Sequence, residues 1–288
     1  MFKGGTAESV ELPTILVYAP RERARTLVRS AFPKRKWRVI ATRDAAEFSA
    51  TLLRTLVDAA LVDIGSPIAL AGLAAPGNAA TGAVNGGDET WKIAALAQGF
   101  PSAPFFAITP LRATDAPAVA RCMALEFCDV IADGIDETVA REIVAPQTYS
   151  SRFYAALVDP PPALRLESPM QLRTWRAILG GAGRPVRTST LAKAAGVTRE
   201  HLSRKFSVPG SPNLKRVIDL VRMIGAAELA KNPGLDIRDV AKILGFASSS
   251  HLAVTAQRVL GTRPASLSRL RTIDLIERFM QGRTRSRG

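Results

Sequence analysis

The chain holds two histidines, His201 and His251, and both stand at the same place in a pattern that is written twice. Leu191–Leu202 reads LAKAAGVTREHL, and Val240–Leu252, starting 49 residues later, reads VAKILGFASSSHL. Each copy runs aliphatic-Ala-Lys, two small or apolar residues, Gly, one apolar residue, a polar stretch and His-Leu. The polar groups after each glycine suit the binding of an anion. In the first copy they are Arg199, Ser203 and Arg204, and a guanidinium can grip a guanine edge or a phosphate through two hydrogen bonds. In the second they are Ser248, Ser249 and Ser250, with Arg258 two turns on. Short hydroxyls and helix N-terminal N–H groups suit phosphate anchoring more than base reading. His201 and His251 are read as packing or surface residues that can also touch phosphate. Catalytic chemistry finds less support. There is no nucleophile–base pairing, no dinucleotide fingerprint and no Gly-Lys-Ser/Thr phosphate loop. Cys122 and Cys128 have five residues between them and no nearby His, so neutral thiols are expected and no metal or cofactor site is.

The elements that must position these groups differ between the two halves. Residues 1–145 carry 15 Lys+Arg against 16 Asp+Glu, a net charge of −1; residues 146–288 carry 24 against 9, a net charge of +15. The whole basic excess accompanies the repeated pattern, which points to a polyanionic partner such as nucleic acid. No apolar run approaches membrane length, the N-terminus has no apolar signal region, and two cysteines argue against a disulfide scaffold, so a cytoplasmic protein is expected.

In the first half, short apolar runs alternate with amphipathic stretches. Strands are expected at Thr14–Tyr18, Trp37–Ala41, Ala59–Ile64, Phe105–Ile108 and Val130–Ile131, with helices at Arg21–Phe32 and Ala45–Val57. Strict alternation of this kind predicts a parallel sheet covered on both faces. Ala69–Glu89, rich in Ala, Gly and Asn, reads as a loop. Pro160, Pro161 and Pro162 place a linker between the halves. Beyond it the pattern is helical. Ser189 is expected to cap a helix ending at Gly196, Thr198 the next helix, and Asp236 a helix ending at Gly245. Ser211-Pro212 reads as the start of a connector of about 20 residues, roughly 30 Å at 1.5 Å per residue. Two helix–turn–helix units on such a rod could enter successive major grooves, which are roughly 34 Å apart.

The LAKAAGVTREHLSRKF block, Arg222, IRDVAKILGF and Gly261-Thr262-Arg263-Pro264 resemble the DNA-binding domain of AraC/XylS-type transcriptional regulators over about Met170–Leu270. That resemblance implies an all-α tandem helix-turn-helix domain. Glu200, Ser203 and Arg204 match base- and backbone-facing positions of its first reading helix, and Ser249, Ser250 and Ala253 those of its second. Val254 departs from the family, which commonly has Arg there. The first half resembles a response-regulator receiver: Asp63, in DAALVDIGSP, falls at the phospho-acceptor position and Thr109 at the hydroxyl position. A flavodoxin-like strand order of 2-1-3-4-5 is implied. Where a receiver has its acidic pair this chain has Ala19-Pro20, and where it has a Lys this chain has Asp133-Gly134. A degenerate receiver is therefore expected, in which Asp63 is not phosphorylated.

These readings divide the chain into a pseudo-receiver domain (1–145), a linker (146–168), a tandem helix-turn-helix domain (169–281) and a basic tail (282–288). The expected function is that of a bacterial-type transcription regulator. It binds double-stranded DNA, is not an enzyme, forms a homodimer through its N-terminal domain and does not bind a membrane. No effector is implied. Two alternatives are an N-terminal small-molecule-binding or enzymatic module with an accessory basic domain, and an adaptor that coats DNA without specificity.

Overall fold

The computed structural model describes residues 12–66, 69–70 and 85–282. Its first compact unit contains Leu12–Ser151 and is built on five parallel strands, β1 (Thr14–Tyr18), β2 (Arg38–Ala41), β3 (Ala59–Asp63), β4 (Phe105–Thr109) and β5 (Asp129–Ala132), in the order β2-β1-β3-β4-β5. This is the flavodoxin-like order. Every residue of β1, β3 and β4 is buried, which is why these strands read as unbroken apolar runs; the edge strands β2 and β5 are only partly covered. The helices are α1 (Glu22–Ala31), α2 (Ala45–Leu52), α3 (Asn85–Ala95), α4 (Ala116–Ala124) and α5 (Glu137–Val144).

On one face, Leu27, Val28 and Ala31 of α1 and Ala140 and Val144 of α5 close over Ile15, Val17, Leu61, Phe106 and Ile108. On the other, Phe105 packs against Phe48 of α2 at 6.0 Å and Phe127 at 5.6 Å between ring centroids. Burying each such ring contributes roughly 1.5–3 kcal/mol. Asp58, fully buried just before β3, accepts from the backbone N–H groups of Thr14 (2.7 Å) and Ser150 (3.0 Å).

Two expectations for this unit need correction. Helix α2 ends at Leu52, because the chain turns there through Leu53. Of the expected loop at Ala69–Glu89, Ala69 and Leu70 are helical and Asn85–Glu89 open α3; residues 71–84 lie outside the described set. The Gly/Asn signals in Asn85-Gly-Gly were outweighed by the apolar periodicity that follows them, with Trp91 and Ala94 buried on one face of α3.

The second unit, from Arg152, is helical throughout. Its elements after α6 (Tyr149–Leu157), which spans the change of unit, are α7 (Pro169–Leu179), α8 (Thr188–Ala194), α9 (Arg199–Phe206), α10 (Leu214–Leu229), α11 (Ile237–Ile243), α12 (Ser249–Leu260) and α13 (Thr272–Gln281). Helix α6 stops before the three prolines. Fully buried Trp175 on α7 donates its indole N–H to the carbonyl of Leu157 at 2.7 Å. The connector α10 is central, with Val217, Leu220, Val221 and Ile224 buried. It passes so close to the turn before α8 that a Cβ on Gly225 would lie 2.8 Å from the Cα of Gly183.

Two start signals were also misplaced. Helix α8 begins at Thr188, preceded by Arg187, so Ser189 lies inside it and is not its cap. Helix α10 is capped by Asn213, whose side chain accepts from the Arg216 N–H at 2.9 Å; the Ser211 hydroxyl donates instead to the carbonyl of Arg165. The connector helix therefore has 16 residues, about 24 Å, where roughly 30 Å was expected.

Candidate nucleic-acid interface

The two copies of the repeated pattern fold into two helix–turn–helix units with the same hydrogen-bond frame. Helix α8 ends at Gly196 (φ 67°), whose N–H bonds the carbonyl of Lys193 at 3.1 Å, while the Val197 N–H reaches back to Ala192 at 3.0 Å. Helix α11 ends at Gly245 (φ 61°), with Gly245 to Lys242 at 3.1 Å and Phe246 to Ala241 at 2.8 Å. This is the Schellman arrangement, in which a left-handed residue lets two N–H groups cap the last carbonyls and an apolar residue follows. The second helix of each unit then starts on a hydroxyl cap. The Thr198 Oγ1 accepts from the His201 N–H at 3.1 Å, and the Ser248 Oγ from the His251 N–H at 3.0 Å. Leu202 and Leu252, the residues after each histidine, are fully buried. From glycine to cap the second turn is one residue longer, which explains why the two histidines are spaced 50 residues apart and the pattern starts 49.

The expected reading residues occupy the outer faces of α9 and α12. Arg199, Glu200 and Arg204 are exposed and Ser203 is half-buried; Leu202 and Phe206 anchor the opposite face. On α12 the cap Ser248 and Ser250 are exposed, while Ser249 and Ala253 are half-buried. Arg258 is exposed but committed, its Nη2 lying 2.8 Å from Oδ2 of Asp219 on α10. That pair ties the second reading helix to the connector.

Other residues hold the helices in place. Arg222, from α10, stacks over Phe246 at 3.9 Å and donates through Nη2 to the carbonyl of Leu244 at 3.2 Å, capping α11; burial lowers its pKa, against the pull of Asp219. Phe246 in turn meets the His251 ring edge-on at 5.7 Å. Beneath the first unit, Gln171 donates to the carbonyl of Lys205 at the end of α9 (3.1 Å) while completing a capping box with Ser168 on α7. Asp219 and Gln171 were not foreseen. A buried carboxylate or amide inside an apolar helical stripe was the available signal, since such groups need a partner.

The other singled-out group, Asp63, is fully buried at the end of β3. Arg21, which follows Ala19-Pro20, fills the position facing it. Arg21 donates its Nε to Oδ1 (2.8 Å) and its backbone N–H to Oδ2 (3.0 Å), and its Nη2 lies 2.6 Å from Oδ1. The same guanidinium reaches Asp133 through Nη1 at 2.5 Å, and Arg23 reaches Asp133 from outside at 3.1 Å. Burial opposes the charge of Arg21, yet the hydrogen bonds and charges of Asp63 and Asp133 raise its pKa. The Arg21 guanidinium lies between Asp63 and Asp133, and together with Arg23 it balances their two charges. Asp63 has no exposure and serves as an ion-pair partner. Thr109 donates its hydroxyl to Asp115 at 2.7 Å. Cys122 is buried, which pushes its thiol up to about 12, and Cys128 is exposed. Among the described residues no group of three or more His, Cys, Asp or Glu is placed to hold a metal, and no helix is long and apolar enough to cross a membrane.

Residues 191–269, from α8 to the turn after α12, match a family model described as a helix-turn-helix domain. The C-terminal region is thus an AraC-type helix-turn-helix domain, the DNA-binding part of a transcription regulator. Among solved structures, the chain is similar to a response regulator from Thermotoga maritima (16% identity, TM-score 0.34, 47% of this chain and 99% of that one). It is also similar to full-length FixJ from B. japonicum (13% identity, TM-score 0.34, 85% and 96%). No curated protein matches the chain in sequence.

Proposed function

We propose that the protein is a sequence-specific transcription regulator of bacterial type. Helices α9 and α12 enter successive major grooves of double-stranded DNA, and the α/β unit dimerises or receives a signal without phosphorylation of Asp63. The supporting observation is the doubled frame: two capped reading helices, with the same backbone bonds, in a half of the chain with net charge +15. Arg199, Glu200, Ser203 and Arg204 act from α9, and Ser248, Ser249 and Ser250 at the start of α12. Arg258 acts mainly through Asp219, its free edge facing solvent. The functional division is a pseudo-receiver domain over 1–145, a linker over 146–168, the DNA-binding domain over 169–281 and a basic tail. The protein acts in the cytoplasm, without a cofactor and not as an enzyme.

The Arg21–Asp63–Asp133 cluster supports a receiver that does not use phosphate. The carboxylate that would attack the phosphoryl donor is buried and already takes up a guanidinium and two backbone N–H groups, of Arg21 and Gly65. Incubation with acetyl phosphate and Mg²⁺ should leave Asp63 unlabelled and DNA affinity unchanged. Incorporation that is lost in Asp63→Asn would overturn that part of the proposal. A gel shift with genomic fragments at moderate salt, with competitor DNA, tests the whole. A few fragments should be retained selectively; uniform retention would mean non-specific coating, and no retention would mean the basic half has another role.

A further inference from the structure

The outer face of α12 is chemically unlike that of α9. Arg258 is the only Lys or Arg in Ser249–Leu260, and its guanidinium is drawn to Asp219 on the connector. The groups left on the exposed face are Ser250, His251, Val254 and Gln257. Val254 is 65% exposed, the most exposed large apolar side chain described in the molecule. It lies one turn after Ser250 and one turn before Gln257, in the middle of the face that would meet DNA.

Folding does not account for a valine there. Its side chain is out of the core, and a β-branched residue is a poorer helix former than Ala by up to about 0.7 kcal/mol. A single exposed apolar residue is ordinary on a protein surface, but this one is at the centre of a reading face from which the long cation has been removed. In the major groove the one apolar group on a base edge is the 5-methyl of thymine, while Gln suits the N6/N7 edge of adenine.

We infer that Val254 is a specificity-determining residue: the second helix-turn-helix reads A·T pairs by packing the Val254 isopropyl group on a thymine methyl, with Gln257 beside it for adenine. The inference rests on the proposed DNA binding. The DNA site is then asymmetric in chemistry, with a guanine-reading half under the arginines of α9 and a thymine-reading half under α12.

The experiment starts from a duplex selected by the full-length protein from a random pool. Each thymine is replaced singly by deoxyuridine, which removes only the methyl group, and affinity is measured for wild type and Val254→Ala. One or two replacements should lower wild-type affinity about fourfold, the value of one buried methylene-sized group, and should cost Val254→Ala little or nothing more. Those thymines should lie in the half whose base preference Arg204→Ala leaves intact. Insensitivity to every replacement, or equal losses in wild type and Val254→Ala, overturns the inference while leaving DNA binding in place. Enrichment of no duplex overturns both. Unfolding midpoints, expected to be no lower in Val254→Ala than in wild type, exclude a folding defect as the cause.

Discussion

Arg21 lies 42 residues from Asp63 and 112 from Asp133 in the chain, yet one guanidinium joins all three. Arg21→Ala would leave two buried carboxylates with only Arg23 nearby, and breaking a buried pair in this way costs ~3–5 kcal/mol. The lower end is expected, since Arg23 still faces Asp133; urea unfolding of the full chain checks it, and a loss below ~1 kcal/mol would show that the cluster does not brace the sheet. The sequence made Asp63 and Asp133 visible as strand-end acids, but pairing a loop after β1 with the ends of β3 and β5 required the strand order. The two arginines of the reading helices should also separate by assay. Arg204→Ala should lower specific DNA affinity by ~1–3 kcal/mol and relax base preference in one half of the site, with no change in stability. Arg258→Ala should lower stability by ~1 kcal/mol through loss of the Asp219 pair, with little effect on base preference. Equal losses of preference in both variants would contradict the roles given to them. From sequence Arg258 was grouped with the DNA-facing residues, because nothing local reveals a partner 39 residues away.

Glycine-marked helix ends were the most legible elements, and helix starts the least. Gly196 and Gly245 were read correctly as helix ends because the left-handed conformation excludes most other residues. Ser189 and Ser211 were misread as caps because Ser is compatible with several positions: Ser189 lies one residue inside its helix, and the Ser211 hydroxyl bonds the carbonyl of Arg165. Replacing either glycine by Ala forces an L-residue into positive φ, at ~1–2 kcal/mol. Gly245→Ala should be the costlier, since its Cβ would stand 3.2 Å from Pro185 whereas that of Gly196 meets nothing within 4 Å. Thermal unfolding of the two variants orders them; a larger loss at Gly196 would be inconsistent with this packing. Asp236, capping α11, provides a pH test. The backbone N–H of Asp239 and, after the opposing effect of burial, that of Arg238 hold its carboxyl below the ordinary 3.8. With its folded pKa depressed, the stability it contributes is present above 3.8 and is lost as pH falls through the folded value. Asp236→Asn keeps a capping oxygen, so it should fold normally at neutral pH and show a weaker decline in unfolding midpoint from about pH 5 down to about pH 2. An unchanged acid-side slope would remove Asp236 from the account.

At the scale of the whole molecule, the charge division found in the sequence follows the division into two compact units, a nearly neutral α/β sheet unit and a basic helical one. Like-charged basic halves repel, so self-association is expected from the first. Sedimentation should show residues 1–145 as dimers and residues 165–288 as monomers; the reverse would refute it. The parallel sheet and the two reading helices were legible because alternating apolar runs and a repeated motif are statements about periodicity, whereas the flavodoxin-like strand order came only from the resemblance to a receiver. The inner supports, Arg21, Gln171 and Asp219, were not, because they are polar residues whose partners come from distant elements. The central claim is that α9 and α12 read DNA together from one connector. Selection of binding sites from a random duplex pool by the full-length protein, at moderate salt and with competitor, tests it most directly. One enriched motif is predicted, with two unlike parts about one helical turn, ~10 base pairs, apart on one face of the duplex. A single short element, or no enrichment above the starting pool, would contradict it.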